Sequence, residues 1–255
     1  MKKNRNRKIL TWINFLLDFR PYGPIAIIYF AQVTGSFALG LGVFSFISLA
    51  VVLLEVPTGI FSDMVGRKKT MILGAIASTL SIFLYALGST FWILAIGAFF
   101  GGLAESFFSG NNDALLYETL KQSKKEKKYA EMLGKVNSMF QYGLAASALL
   151  GGFLAGWSLQ FVFWISIIPQ FLGFILTLFI QEPRKHEKKI DTIANHFKEA
   201  VKGFKKSWKL RNLTYGSMIG FGIGETLHQF LPAFFFFFFP TWALSIPRFF
   251  SRIFA

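Results

Sequence analysis

Apolar runs of about 20 residues, parted by short polar stretches, dominate the chain, and each run is long enough to cross the hydrocarbon core of a bilayer as a helix. Six complete runs are read: Ile9 to Ala31, Phe37 to Pro57, Thr70 to Gly88, Phe91 to Asn111, Val136 to Gly156, and Leu159 to Ile180. A seventh begins near Leu213 and carries Gly216, Gly220, Gly222 and Gly224, then Glu225 and His228. The first run is interrupted by Asp18, Arg20, Pro21 and Pro24, and no small-residue cleavage site follows it. It is read as an uncleaved transmembrane helix with an irregular middle rather than a signal peptide.

Between the sixth and seventh runs the period changes. Ile190, Ile193, Phe197, Val201, Phe204 and Trp208 recur every three or four residues, with lysines between them. This predicts an amphipathic helix within residues 184–211, lying on an anionic leaflet. It serves either as a tether between two bundles or as a lipid sensor. The predicted organisation is a basic tail (1–8), a six-helix bundle (9–183), the linker helix (184–211), a seventh span (212–239) and a tail (240–255).

Composition agrees with the pattern. Hydrophobic residues make up 53% of the 255, charged ones only 16%, and phenylalanine alone supplies 33. An ordinary soluble domain carries roughly 25% charge. A net charge of +14 would suggest nucleic acid in a soluble protein, but here the distribution excludes it. Lys and Arg number five in the N-terminal tail, three at 67–69, six between Lys121 and Lys135 and ten between Arg184 and Arg211, while the intervening connections have none. Alternate connections are therefore basic or uncharged. The positive-inside rule places the N-terminus and every basic connection in the cytoplasm of a multi-pass inner-membrane protein. With no cysteine, disulfides and thiolate sites are excluded. The histidines at 186, 196 and 228 lack metal-ligand spacing and no serine sits in a nucleophile setting, so no metal, no cofactor and no enzyme activity is expected.

Ionisable residues inside spans cost about 2.5–3.5 kcal/mol each on insertion scales and call for a reason. Asp18 and Arg20 lie beside Pro21 and Pro24. Two residues apart, they share no helix face and meet only if the segment is unwound. Either the helix is broken there, as at many substrate sites, or the span starts near Tyr22 and both charges sit at the interface. Glu105, two-thirds along the fourth run, serves a polar cavity or a structural hydrogen bond. Glu225 and His228, three apart, share a face and form a candidate proton relay. Glu55 is expected against the 59–69 connection, and Asp113 and Glu118 in solvated or helix-pairing roles. The small residues Gly97, Gly101, Gly102, Gly143, Gly151 and Gly152 suit close helix packing.

The connection after the second run reads as a tight charged turn, with Pro57 ending or kinking the helix and Gly59 and Gly66 permitting close approach or positive φ. The motif Gly59-x-x-x-Asp63-x-x-Gly66-Arg67-Lys68-Lys69 resembles the signature loop between helices two and three of the major facilitator superfamily. The stretch Ser109 to Leu120 and the pair Glu182–Pro183 resemble a bacterial subfamily of those transporters, and the resemblance covers roughly residues 9 to 232. It implies an all-α membrane protein whose six-helix bundle is two inverted three-helix repeats, followed by a second bundle. It further implies a secondary transporter that binds a small, drug-like molecule at mid-membrane by alternating access, coupled to protons or another ion. Gly59, Asp63, Gly66, Arg67 and Lys68 would form its gate. The chain departs from the family at Met64, where a basic residue is usual, at the fourth span, which has Glu105 and no arginine, and at the fifth, whose glycines lack the accompanying proline.

The run Phe234 to Phe239 and the tail after it lead to the expectation that the chain is an N-terminal fragment of such a transporter. A half-transporter that pairs with a partner subunit, or a non-transporting remnant, is the alternative. The expected partners are a small-molecule substrate, anionic lipid at the cytoplasmic face, and the missing C-terminal half or a partner subunit.

Overall fold

The computed structural model describes residues 5–182 and isolated positions between 202 and 227. The chain divides into two units, 1–184 and 185–255. In the second, the described positions are helical apart from Ser207, and the Arg211 guanidinium lies 5.5 Å from the Trp208 ring centroid. The linker helix is described only in part, and Glu225, His228 and the 240–255 tail lie outside the described residues.

The first unit holds α1 (Arg5–Asp18), α2 (Ala26–Thr34), α3 (Phe37–Val65), α4 (Arg67–Leu87), α5 (Phe91–Phe108), α6 (Asn111–Gln122), α7 (Tyr129–Ala155) and α8 (Leu159–Leu178). Among the described residues five helical segments are long and apolar enough to cross a membrane, beginning at Phe37, Arg67, Phe91, Glu126 and Leu159. The first apolar run is split into α1 and α2 by a non-helical stretch that turns at Pro21–Tyr22 and a 3-10 turn over Gly23–Ile25. Asp18 thus closes α1 and Arg20 sits in the interruption between two helices.

Two boundaries differ from the sequence reading. Pro57 does not end the second helix, which continues to Val65. A mid-helix proline removes one backbone donor. Here the Thr58 hydroxyl, with one hydrogen to give, lies within bonding distance of the Leu54 carbonyl (2.8 Å) and the Ser106 carbonyl of α5 (3.0 Å) and donates to one or shares between them. The charged turn at 59–69 is consequently a single residue, Gly66, between two helices. Gly59 lies inside α3 facing open space, so neither close approach nor positive φ requires a glycine there. The fourth run breaks at Ser109–Gly110 and resumes as α6.

The packing has an internal twofold. The first crossing packs on α7 and α8 through α1, and α5 packs on α3 and α4, while α4 meets α8. Advancing every crossing by three maps the two pairs of the first crossing onto the two pairs of α5, and the α4–α8 pair onto itself. Since three crossings bring the chain to the opposite side, the two repeats are inverted, as the resemblance implied. Thr90 and Ser158 cap the starts of α5 and α8, each accepting from the backbone N–H three residues on.

Close approach between repeat-equivalent helices depends on absent side chains. A Cβ on Gly151 of α7 would collide with the Pro21 carbonyl, and one on Gly102 of α5 would stand 2.6 Å from Ala50 Cβ of α3. Gly152, the neighbour expected to pack closely, faces open space. Aromatic rings fill the interior near α2: Tyr29 stands 4.2 Å, centroid to centroid, from Phe163, and Phe30 5.0 Å from Tyr85. A second core of Leu10, Ile13, Leu17, Met71, Leu115, Leu116 and Leu120 lies toward the basic end. Of the five long segments, those of α3 and α7 are the least enclosed, and they expose Val52 at 73% and Leu149 at 79%.

Gly151→Leu therefore forces α7 off the first crossing, with an expected cost of about 1–3 kcal/mol or more. Gly152→Ala is expected to be neutral. Thermal unfolding of the two purified variants, followed by intrinsic fluorescence, separates them; equal midpoints would contradict this packing.

Candidate functional site

Two polar assemblies are built into the apolar bundle. The first surrounds the break in the first crossing. Non-helical backbone inside a bilayer needs partners from the protein, because no water is available to it. Neighbouring helices supply them. Ser147 of α7 accepts from the Arg20 N–H at 2.7 Å, and Ser166 of α8 accepts from the Tyr22 N–H at 3.2 Å. The Gln170 amide of α8 donates to the Leu16 and Leu17 carbonyls at 3.1 and 3.0 Å. Its own oxygen accepts from Ser78 of α4 at 2.7 Å. Gln170, Ser166 and Ser147 are buried.

The interruption lets the charges meet. Arg20 Nε donates to the Leu17 carbonyl at 2.6 Å, and its guanidinium lies within electrostatic reach of the Tyr22 hydroxyl. Asp18 and Glu105 both lie within electrostatic reach of Arg20 and of each other. Asp18, Arg20 and Tyr22 are half-buried, and Glu105 is exposed. The group holds two carboxylates to one guanidinium. The Tyr22 ring stacks on Phe163 at 4.9 Å. A half-open polar cluster with an aromatic wall can bind an amphipathic molecule or carry a proton between carboxylates.

The second assembly lies at the basic end, around Gly66. Its φ of 111° and ψ of 154° belong to a region essentially restricted to glycine. The turn aims the first amides of α4 outward, where Glu182 receives them: its two carboxylate oxygens accept from Arg67 and Lys68 N–H, both at 2.8 Å. A carboxylate at a helix N-terminus satisfies open donors and the helix dipole together. Arg67 then faces three partners: Asp63 at 2.8 Å, Glu118 of α6 at 3.5 Å and the Ser62 hydroxyl at 2.9 Å. Ser62 donates to Asn111 at 2.8 Å, and Asn111 donates back to the Arg67 carbonyl at 3.1 Å. Asn6 ties α1 in, donating to the Gln181 carbonyl at 2.8 Å and accepting from the Gln181 N–H at 2.9 Å.

Gly66, Asp63 and Arg67 are thus brought together, and Lys68 contributes its backbone. Glu118 pairs with a helix, as one of its two expected roles had it. Asp113 is exposed in the first turn of α6. Glu55 accepts from Ser109 at 3.0 Å and so braces the α5–α6 junction rather than the signature turn. Sequence reasoning passed over Ser78, Ser147, Ser166, Gln170, Asn6 and Asn111. Their signal was a polar side chain in an apolar run, most visibly Gln170 beside Pro169.

Gln170→Leu removes the side-chain donor to the Leu16 carbonyl and the acceptor of the Ser78 hydroxyl, while the Leu17 carbonyl keeps Arg20 Nε, an expected loss of about 1–3 kcal/mol. Gln170→Glu at low pH, which restores a donor, is expected to recover part of it; thermal unfolding checks both. At the basic end the Asp63 side chain is 63% exposed, so its ion pair contributes at most about 1 kcal/mol. Asp63→Asn should leave the unfolding midpoint nearly unchanged, whereas Asn111→Ala, at a buried hydrogen-bonding position, should cost about 1–3 kcal/mol.

Comparison with known proteins agrees with the geometry. The Major Facilitator Superfamily matches residues 9–251. The tetracycline resistance protein, class E, of Escherichia coli is 28% identical over 122 residues, covering 48% of this chain and 29% of that protein. The quinolone resistance protein NorA of Staphylococcus aureus is 27% identical over 187 residues, covering 71% of this chain and 47% of that one. The crystal structure of the human organic anion transporter MFSD10 superposes with a TM-score of 0.56 at 16% identity, over 76% of this chain and 51% of that chain, a likeness of fold. The chain spans less than half the length of these curated relatives.

Proposed function

Since this chain belongs to the major facilitator superfamily, we propose that it works as the N-terminal half of a secondary transporter that exports drug-like molecules by alternating access. The observation that carries the reading is the cluster of Asp18, Arg20 and Glu105 at the broken first crossing. Two carboxylates beside one guanidinium give the group a net negative charge, which suits a proton or a cationic group of the substrate. The names of the two bacterial relatives support drug-like cargo.

Gating falls to the basic end, which the charge bias assigns to the cytoplasm. Exposed Asp63 favours a helix N-terminus presented by a facing bundle, while Glu182 and Glu118 hold Arg67 and the turn in place. The open faces of α3 and α7, equivalent by the internal twofold, are where that second bundle seats. It is supplied by further chain or by a partner subunit. Proton coupling through Glu105 follows from the same cluster, the proton crossing with the change of access.

Expression in a drug-sensitive bacterium with a fluorescent quinolone tests this. Export should depend on the proton gradient and vanish with an uncoupler. Glu105→Gln should slow it about tenfold or more, as expected for loss of a group used in the transport step, with membrane insertion unchanged. Gradient-independent accumulation, identical with and without the chain, overturns the proposal.

A further inference from the structure

Near the basic end, α1, α6 and α7 enclose a crevice of about 210 Å³. One wall is apolar and buried, formed by Leu116, Met132 and Val136. The other is cationic, formed by Arg7, Lys8 and Lys135. Their depth is set by the sequence. Arg7 and Lys8 immediately precede the first apolar run, and Lys135 immediately precedes the fifth. Two different helices therefore bring cations to one level, where hydrocarbon gives way to headgroups. The Glu131 carboxylate bonds Lys135 at 2.7 Å and also feels Lys128 and Arg7, so positive charge remains in excess.

We propose that this crevice is a binding site for an anionic phospholipid of the leaflet on the basic side. Its phosphate is held by Arg7, Lys8 and Lys135, and its first acyl carbons lie against Leu116, Met132 and Val136. Basic pockets between transmembrane helices are the places where anionic headgroups bind. The size fits: the crevice is below the roughly 300 Å³ at which drug-sized pockets begin, yet it accepts a phosphate and glyceryl unit. The apolar wall favours a lipid over a soluble anion, which gains nothing from burying methylenes. The lipid bridges α1 to α7, the contact on which the broken crossing depends. This site is separate from the transport reading and stands or falls without it.

The test is native mass spectrometry of the purified 255-residue chain, released from mixed micelles of phosphatidylglycerol and phosphatidylcholine with matched acyl chains. Retention of phosphatidylglycerol is expected to exceed that of phosphatidylcholine roughly tenfold, with several cations each contributing at the surface. The variant R7Q/K8Q/K135Q should bring the ratio near unity. K124Q/K125Q/K127Q, which removes the same charge from the α6–α7 connection, should leave it unchanged. Met139→Trp, which fills the crevice from its own lining and keeps every cation, should also abolish the preference; it decides alone if the triple variant does not fold. Equal losses in the two triple variants would mean diffuse attraction and overturn the site. Displacement of the lipid by millimolar glycerol 3-phosphate would reassign the crevice to a soluble phosphate, and so would overturn the lipid proposal.

Discussion

A broken helix in the middle of a bilayer is possible only if every exposed backbone group finds a partner within the protein. The rest of this bundle is arranged around that constraint. Ser147, Ser166 and Gln170 come from two other crossings and converge on one interruption. Gln170 is in turn oriented by Ser78 from a third. Glycine at 151 brings the fifth crossing close enough for Ser147, one helical turn away, to reach. The interruption begins at Asp18, the last residue of α1, and carries half-buried Arg20 and Tyr22 on non-helical backbone, where Arg20 can approach Glu105. Packing, polar satisfaction and the charged cluster are one arrangement.

The basic end follows a different economy. There water is near and ion pairs contribute little, so the holding is done by hydrogen bonds to backbone. Glu182 at the end of the sixth crossing accepts the first amides of the third, and Asn6 grips the backbone beside it. The gate residues of the family pattern, Asp63 and Arg67, rest on this frame without being its main support. Asp63 stays exposed beside Arg67, while Ser62 and Asn111 are buried and hydrogen-bonded to each other.

Much was legible in the order of residues. The crossings, their alternating charge and the Gly66 turn follow from run length, Lys and Arg placement and a motif with fixed spacing. The end of the second helix was misread because proline removes a donor, and only the position of Thr58 and the Ser106 carbonyl shows that the helix recovers from it. Gly152 was grouped with Gly151, since composition alone does not say which of two adjacent glycines meets a neighbour.

The sequence by itself determined that the chain is a multi-pass membrane protein and where its charges stand along the chain. Hydrophobic length and charge bias are properties of segments, and a bilayer reads segments one at a time. Only the tertiary structure decided that the helix of the first run is interrupted after Asp18, that Asp18, Arg20 and Glu105 share one region, and that Glu182 caps a helix more than 100 residues before it. Those facts depend on which faces of distant helices pack together. Small residues and paired polar groups set that packing across the whole bundle, and no single segment contains it.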